Sequence, residues 1–172
     1  MKRSKNFQSQ QVVLRPFSYA DLADVLEYAS QEDVARLANF TVCRTPAQGR
    51  FFLEGLMNQQ LMAIVLVPQN KVIGNIGLYE EIGPDGGPSE TRAEIGYAIN
   101  HDFWNQGYGT QALKLMLKLA EKKQYKEIDA KVLDNNTASK MILEKNGFIR
   151  RGTITPLYQG SKQILFSNKI KD

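Results

Sequence analysis

Cysteine and histidine are almost missing from this sequence: Cys43 and His101 are the only representatives of their types. A lone cysteine cannot close an internal disulfide, and one residue of each kind leaves no cluster with zinc-ligand spacing, which predicts a reducing compartment and no bound metal. Neither residue has the partners that a Ser/His/Asp or Cys/His nucleophile needs. Long apolar runs are missing too. The longest, residues 61–67, falls far short of the ~20 residues that cross a bilayer. The amino terminus, Met1-Lys2-Arg3-Ser4-Lys5-Asn6, has the charge of a signal peptide without the apolar segment that should follow. These absences predict a cytoplasmic protein without a membrane partner, with residues 1–10 as a flexible tail. No repeat, low-complexity tract or composition break marks a linker, so residues 11–172 read as one domain.

What is present is ordinary for a soluble globular chain: 42% hydrophobic and 23% charged residues over 172 positions, enough to bury a sizeable core without staples. The net charge of +4 is uneven. Residues 1–109 carry 9 Lys+Arg against 12 Asp+Glu, and residues 110–172 carry 13 against 6. A basic carboxy-terminal part suits a polyphosphate ligand, or is simply a solvated surface. Specific nucleic-acid binding is not expected, because basic and aromatic residues do not interleave as single-strand binding requires.

Local signals give the order β-α-α-β-β-β-α-β-α-β-β, a mixed α/β single domain. A strand over 12–17 leads into Ser18-Tyr19-Ala20-Asp21, which resembles a capping box opening a helix through about residue 29. Thr45-Pro46 starts a second helix ending near residue 60. Strands over 61–67 and 71–80 flank the turn Pro68-Gln69-Asn70, predicting an antiparallel hairpin. A third strand over 91–100 follows the loop 83–88, and an amphipathic helix follows over 111–123. Then come a strand over 128–132, a helix over 137–144 closed by Asn146-Gly147, and a hairpin over 148–155 and 163–170.

The segment richest in chemistry runs from Glu94-Ile95-Gly96-Tyr97-Ala98-Ile99 through Trp104-Asn105-Gln106-Gly107-Tyr108-Gly109-Thr110 into the third helix. A glycine turn at a helix N-terminus makes an anion site, since free N–H groups and the helix dipole point at the ligand and glycine lets the backbone come close. A tight turn without a ligand would use the same glycines. The string also fits G-x-G-x-x-A, the dinucleotide fingerprint, with Asp129 at about the distance of its ribose-binding acid. That alternative, an NAD-type enzyme, requires the glycine turn directly after a buried parallel strand. The strands before Gly107 instead read as an antiparallel meander.

Together with Asn136-Thr137-Ala138-Ser139 and Leu143-Glu144-Lys145-Asn146-Gly147-Phe148, these strings resemble the GNAT superfamily of acetyl-CoA-dependent N-acetyltransferases, and within it the RimJ/RimL-like branch that acetylates ribosomal-protein N-termini. The resemblance covers nearly the whole chain. It implies a mostly antiparallel central sheet splayed between the fourth and fifth strands, with helices on both faces. It implies that backbone amides of Gln106, Gly107, Tyr108, Gly109 and Thr110 hold the CoA pyrophosphate beside Trp104. Pantetheine would lie along Ala98 and Ile99 with Asn136, and Ser139 would sit near the thioester sulfur. Trp104 stands where many members have Arg or Gln, and its ring could equally be core packing. Leu143 stands where many place a tyrosine acid, which leaves Ser139 or water to protonate the thiolate. Asn136 and Ser139 would also suit a plain helix cap.

An amine with a pKa near 10 must lose a proton before it attacks, so a carboxylate should face the cleft. Glu94, Glu80 and Glu81 are the candidates, undecided among themselves and against simple solvation. The expected reaction is direct acetyl transfer to a primary amine, of a protein N-terminus or a small molecule, with a backbone N–H near Ile99 stabilising the oxyanion. A non-catalytic CoA-binding module is the other alternative. A homodimer accords with the resemblance alone.

Overall fold

The computed structural model describes residues 7–8, 11–155 and 160–170. Along the chain run β1 (Phe7–Gln8), β2 (Val12–Pro16), α1 (Leu22–Ala29), α2 (Glu32–Ala38), α3 (Pro46–Asn58), β3 (Met62–Leu66), β4 (Lys71–Ile82), β5 (Pro88–Ile99), α4 (Tyr108–Lys122), β6 (Glu127–Leu133), α5 (Thr137–Lys145), β7 (Ile149–Ile154) and β8 (Gln163–Lys169). The result is the expected mixed α/β domain. The tail read over residues 1–10 lies outside the described residues except Phe7 and Gln8, which pair antiparallel with Leu14 and Val13.

Capping chemistry sets several helix starts. Thr45 Oγ1 accepts the Gln48 N–H at 3.2 Å while Gln48 Oε1 accepts the Thr45 N–H at 3.1 Å, and Pro46 occupies the first helical position. Before α1 a single 3-10 turn, Tyr19–Asp21, precedes the α-helix proper, and Ser18 N–H donates to the Asp21 carboxylate at 2.8 Å. Several elements differ from the sequence reading, β4 running on to Ile82 and β5 starting already at Pro88. A further helix, α2, lies between the two expected, and α4 begins at Tyr108, so that Gly109 and Thr110 belong to its first turn.

The chain divides into two compact units, Met1–Gly77 with Tyr97–Leu115 and Leu78–Gly96 with Met116–Asp172. In the first, β2, β3 and β4 pair antiparallel in register Leu14↔Ile64 and Ala63↔Asn75, with an irregularity at Ile64/Val65. Val25, Tyr28 and Ala29 of α1 and Leu53 and Leu56 of α3 form a buried cluster with Ala63, Val65 and Val72. The Tyr28 hydroxyl, fully buried, donates to Asn75 Oδ1 at 3.0 Å.

In the second unit the strand order is β5-β6-β8-β7. β6 pairs antiparallel with β8 from Glu127↔Lys169 to Leu133↔Gln163, and β7 pairs antiparallel with β8. The β5–β6 pair is parallel and short: Arg92↔Glu127, Ala93↔Ile128 and Glu94↔Asp129. Beyond those residues Ile95 and Gly96 no longer pair with Ala130 and Lys131, although both strands continue. Side chains alternate between the two faces of this pair. Ala93, Ile95, Ile128 and Ala130 face the core, and Arg92, Glu94, Asp129 and Lys131 share the other face.

Candidate active site

The turn before α4 is built from the end of β5. Asn100, fully buried, receives the Gln31 amide and the Asp102 N–H on Oδ1, at 2.9 and 3.0 Å, and donates its own amide to Glu27 at 2.8 Å. It thereby caps the 3-10 turn His101–Phe103. Trp104 then folds back: its indole N–H donates to the Ile99 carbonyl at 2.7 Å, its ring stacks on His101 with centroids 4.2 Å apart, and it packs on the core of the first unit. The core-packing reading of Trp104 has its contact here, and the same contact fixes the strand end that leads into the turn. The Gln106 amide is tied to the Asp102 carbonyl at 3.1 Å.

Asn105 and Gly107 have positive φ, 59° and 80°. An added Cβ at Gly107 would meet nothing within 4 Å, so its left-handed backbone, and not crowding within the chain, calls for glycine. The first intrahelical bond of α4 runs from Gln111 N–H to the Gly107 carbonyl at 3.1 Å. The N–H groups of Tyr108, Gly109 and Thr110 thus form the first turn of a 15-residue helix, where donors lack intrahelical acceptors and attract anions.

In the second unit Asn136 is the N-cap of α5, and its Oδ1 accepts the Ser139 N–H at 3.1 Å. The cap expected of this pair is therefore supplied by Asn136. The Ser139 hydroxyl, half-buried in the first turn, has no hydrogen-bond partner among the described residues. Leu143, one turn later, is fully buried.

The three glutamates separate by strand alternation. Glu81 and Tyr79 of β4 lie on the face that carries Glu94, because the Tyr79 ring sits over Gly96, where an added Cβ would come within 3.0 Å of it. Glu80 points the other way and is exposed. Lys131 Nζ pairs with Glu94. Arg92 reaches Glu81 at 3.3 Å, Glu127 at 4.0 Å and Asp129 at 2.5 Å. Burial, and then the nearby Asp129, push the Glu81 carboxyl above its ordinary pKa, and burial with Glu94 beside it raises the Tyr79 hydroxyl. Sequence reasoning missed Tyr79, Arg92 and Lys131. Alternation in β4, β5 and β6 could have placed them on this face, but not without the register.

Two expectations resolve here. Asp129 is buried and bound to Arg92 and to the Ser167 hydroxyl, so it is not an exposed acid for a ribose. β5 is joined to β4 by a tight hairpin, closed by Gly83 N–H to the Gly87 carbonyl at 2.7 Å and at its far end by Asn100 N–H to the Ile73 carbonyl at 2.8 Å. An antiparallel strand before Gly107 is what the dinucleotide fold does not have.

A family model described as an acetyltransferase (GNAT) domain matches residues 11–149. The chain belongs to the GNAT acetyltransferase family. It is an acetyltransferase that draws on acetyl-CoA. Among its relatives, the uncharacterized N-acetyltransferase p20 of Bacillus licheniformis is 28% identical over 156 residues, covering 85% of this chain and 83% of p20. A GNAT-family acetyltransferase from Bacillus anthracis superposes with a TM-score of 0.84 at 24% identity, over 96% of this chain and 98% of that one. The ribosomal-protein-S5-alanine acetyltransferase of Vibrio fischeri has a TM-score of 0.73 at 18% identity, with 96% of each chain covered. At these identities the two structures speak for the GNAT fold. Cys43 of this acetyltransferase is buried, and its thiol pKa is raised by that burial, the opposite of an activated nucleophile. Among the described residues no helix is long and apolar enough to cross a membrane, and no three His, Cys, Asp or Glu side chains gather as metal ligands.

Proposed function

We propose that this acetyltransferase moves the acetyl group of acetyl-CoA directly to a primary amine in a ternary complex, with Glu94 as general base. The observation that carries the reading is the three-residue parallel ladder of β5 and β6. Past its end at Glu94↔Asp129 the two strands no longer pair with each other, which suits the opening that the family's pantetheine site requires. Glu94 occupies the last paired position, at the start of that opening. Glu81 and Glu94 are both ion-paired, to Arg92 and Lys131, so position at the opening and not freedom from a partner favours Glu94, while Glu80 faces away.

The pyrophosphate is assigned to the N–H groups from Gln106 to Thr110, with Trp104 holding Ala98 and Ile99 in place beside them, and pantetheine to Asn136. Glu94, directly or through one water, takes the proton of the ammonium. The free amine attacks the thioester carbonyl, the oxyanion forms against a backbone N–H near Ile99, and the C–S bond breaks as the amide forms. As the amide forms the nitrogen gives up its second proton, which reaches the departing thiolate through the Ser139 hydroxyl, whose unengaged state favours that relay, or through water. The acceptor is a protein N-terminus or a small amine. Likeness to the V. fischeri enzyme puts N-terminal peptides, as in the RimJ/RimL-like branch, first in the panel.

The test is release of free thiol from acetyl-CoA against a panel of N-terminal peptides, polyamines and small amines. Turnover with at least one acceptor is expected. Acetyl-CoA at a hundred times its Kd should also stabilise the protein by about 2.7 kcal/mol, and NADH should not. Stabilisation by NADH and none by acetyl-CoA would refute the reading.

A further inference from the structure

Asp129 is a carboxylate 3% exposed in the middle of β6, and such a charge is tolerated only where it is met. It is met from both neighbouring strands. Ser167 of β8, its register partner, donates its hydroxyl to Oδ1, and Arg92 of β5 donates to Oδ2 at 2.5 Å. The Arg92 end of the pair is half-exposed, and a partly exposed ion pair adds little to stability, so stability alone gives little reason for this one. Its location gives a better one.

Asp129 belongs to the last pair of the parallel ladder, and Arg92 stands two residues before the partner of that pair, Glu94. The same guanidinium reaches Glu81 of β4 and Glu127 of β6. One planar fork thus ties three strands at the register where two of them part, a task that suits Arg. Just past it, Lys131 of β6 reaches across to Glu94.

We infer that Arg92 and Asp129 form a positioning pair for acetyl transfer: by pinning β5 to β6 where the ladder ends, they fix the start of the opening and the place of Glu94 relative to the thioester. The inference rests on the proposed use of this opening by acetyl-CoA. Neither residue touches the reacting atoms. They act through strand geometry, to which turnover is sensitive, since a displacement of about 1 Å can cost about a hundredfold.

The test compares the unmodified protein with Asp129→Asn, Arg92→Ala and Arg92→Lys, measuring kcat, the KM for acetyl-CoA, the Kd for CoA by calorimetry, and thermal unfolding. Asp129→Asn and Arg92→Ala should lower kcat by about ten- to a hundredfold and change the Kd for CoA less than about threefold, because the pyrophosphate contacts lie elsewhere. Arg92→Lys, which keeps a cation in reach but not the planar fork, should recover only part of kcat. Arg92 is half-exposed, so its variants carry the test if Asp129→Asn does not fold. Unchanged kcat in folded variants, or a loss that only follows the folded fraction, would overturn the inference. Absence of thiol release from the unmodified protein with every acceptor would instead strike the acetyl-transfer reading, and this inference with it.

Discussion

The indole N–H of Trp104 donates to the Ile99 carbonyl at 2.7 Å, closing a short loop between the last residue of β5 and the turn that leads into α4. The bond takes one of the two lone pairs of Ile99 and fixes the direction in which the strand ends. Asn100, caught between, is held by Gln31, Glu27 and the Asp102 N–H.

Trp104→Phe should keep the ring packing and lose that bond. One hydrogen bond is worth about 1 kcal/mol, which is roughly 2–4 °C in a domain of this size. If the turn holds pyrophosphate, the KM for acetyl-CoA should rise about three- to tenfold while kcat at saturation changes little. Steady-state kinetics with a thermal melt on the same variant decide it. A lower melting temperature with unchanged KM would leave Trp104 as core packing only.

Glu94→Gln should lower kcat/KM by about a hundred- to ten-thousandfold and leave the Kd for CoA unaltered, since the carboxamide fills the same space but cannot take a proton. Glu81→Gln should cost less. The pH profile provides a second discriminator. The Glu81 carboxyl is raised by its burial and by Asp129, so a base at Glu81 would place the acid limb of kcat/KM above the ordinary glutamate value of about 4.3. A larger loss in Glu81→Gln together with such a limb would move the base there.

Much of the fold was legible where the signal is local. Thr45-Pro46 announced α3, Asn70 with φ of 49° closes the turn read from Pro68-Gln69-Asn70, and Gly147 with φ of 84° ends α5 as its Asn-Gly pair suggested. α2 was missed because its seven residues follow Gln31, whose side chain makes no cap bond, and stop at Asn39 in the left-handed region. The start of α4 was placed late because Gly109, a poor helix former, lies inside its first turn. The face around Glu94 was only partly legible. Arg92–Asp129 and Glu94–Lys131 each join residues 37 apart, and those partners are set by the register of a parallel pair that no local pattern encodes.

Asp21 gives a stability prediction with a definite sign. Burial raises its pKa, but the paired hydrogen bonds from Arg15 at 2.7 and 2.8 Å, with the Ser18 N–H at 2.8 Å, outweigh that and hold the carboxyl below its usual range. A depressed carboxylate contributes stability that is fully present above its unfolded pKa of about 3.9 and is lost as pH falls through the folded value. Asp21→Asn should therefore unfold at a lower denaturant midpoint than the parent at pH 7. The gap should narrow steadily below about pH 4. A gap that stays constant from pH 7 to pH 3 would show that Asp21 acts through shape and not through charge.

Ser139→Ala tests the acid. Because Asn136 caps α5 and the Ser139 hydroxyl is unengaged among the described residues, its removal should change stability by less than about 0.5 kcal/mol. Asn136→Ala, which removes the cap itself, should cost about 1 kcal/mol and also weaken CoA binding if Asn136 meets pantetheine. A hydroxyl that serves the departing sulfur matters most as negative charge develops there, whereas the pyrophosphate contacts exist already in the ground state. Ser139→Ala should then lower kcat by about ten- to a thousandfold with the Kd for CoA changed only a few-fold. The two variants thus exchange signatures, one losing turnover at constant stability and the other losing stability and affinity. Full turnover in Ser139→Ala would hand the thiolate's proton to water, and Leu143, buried where a tyrosine acid could have stood, could not take over the role.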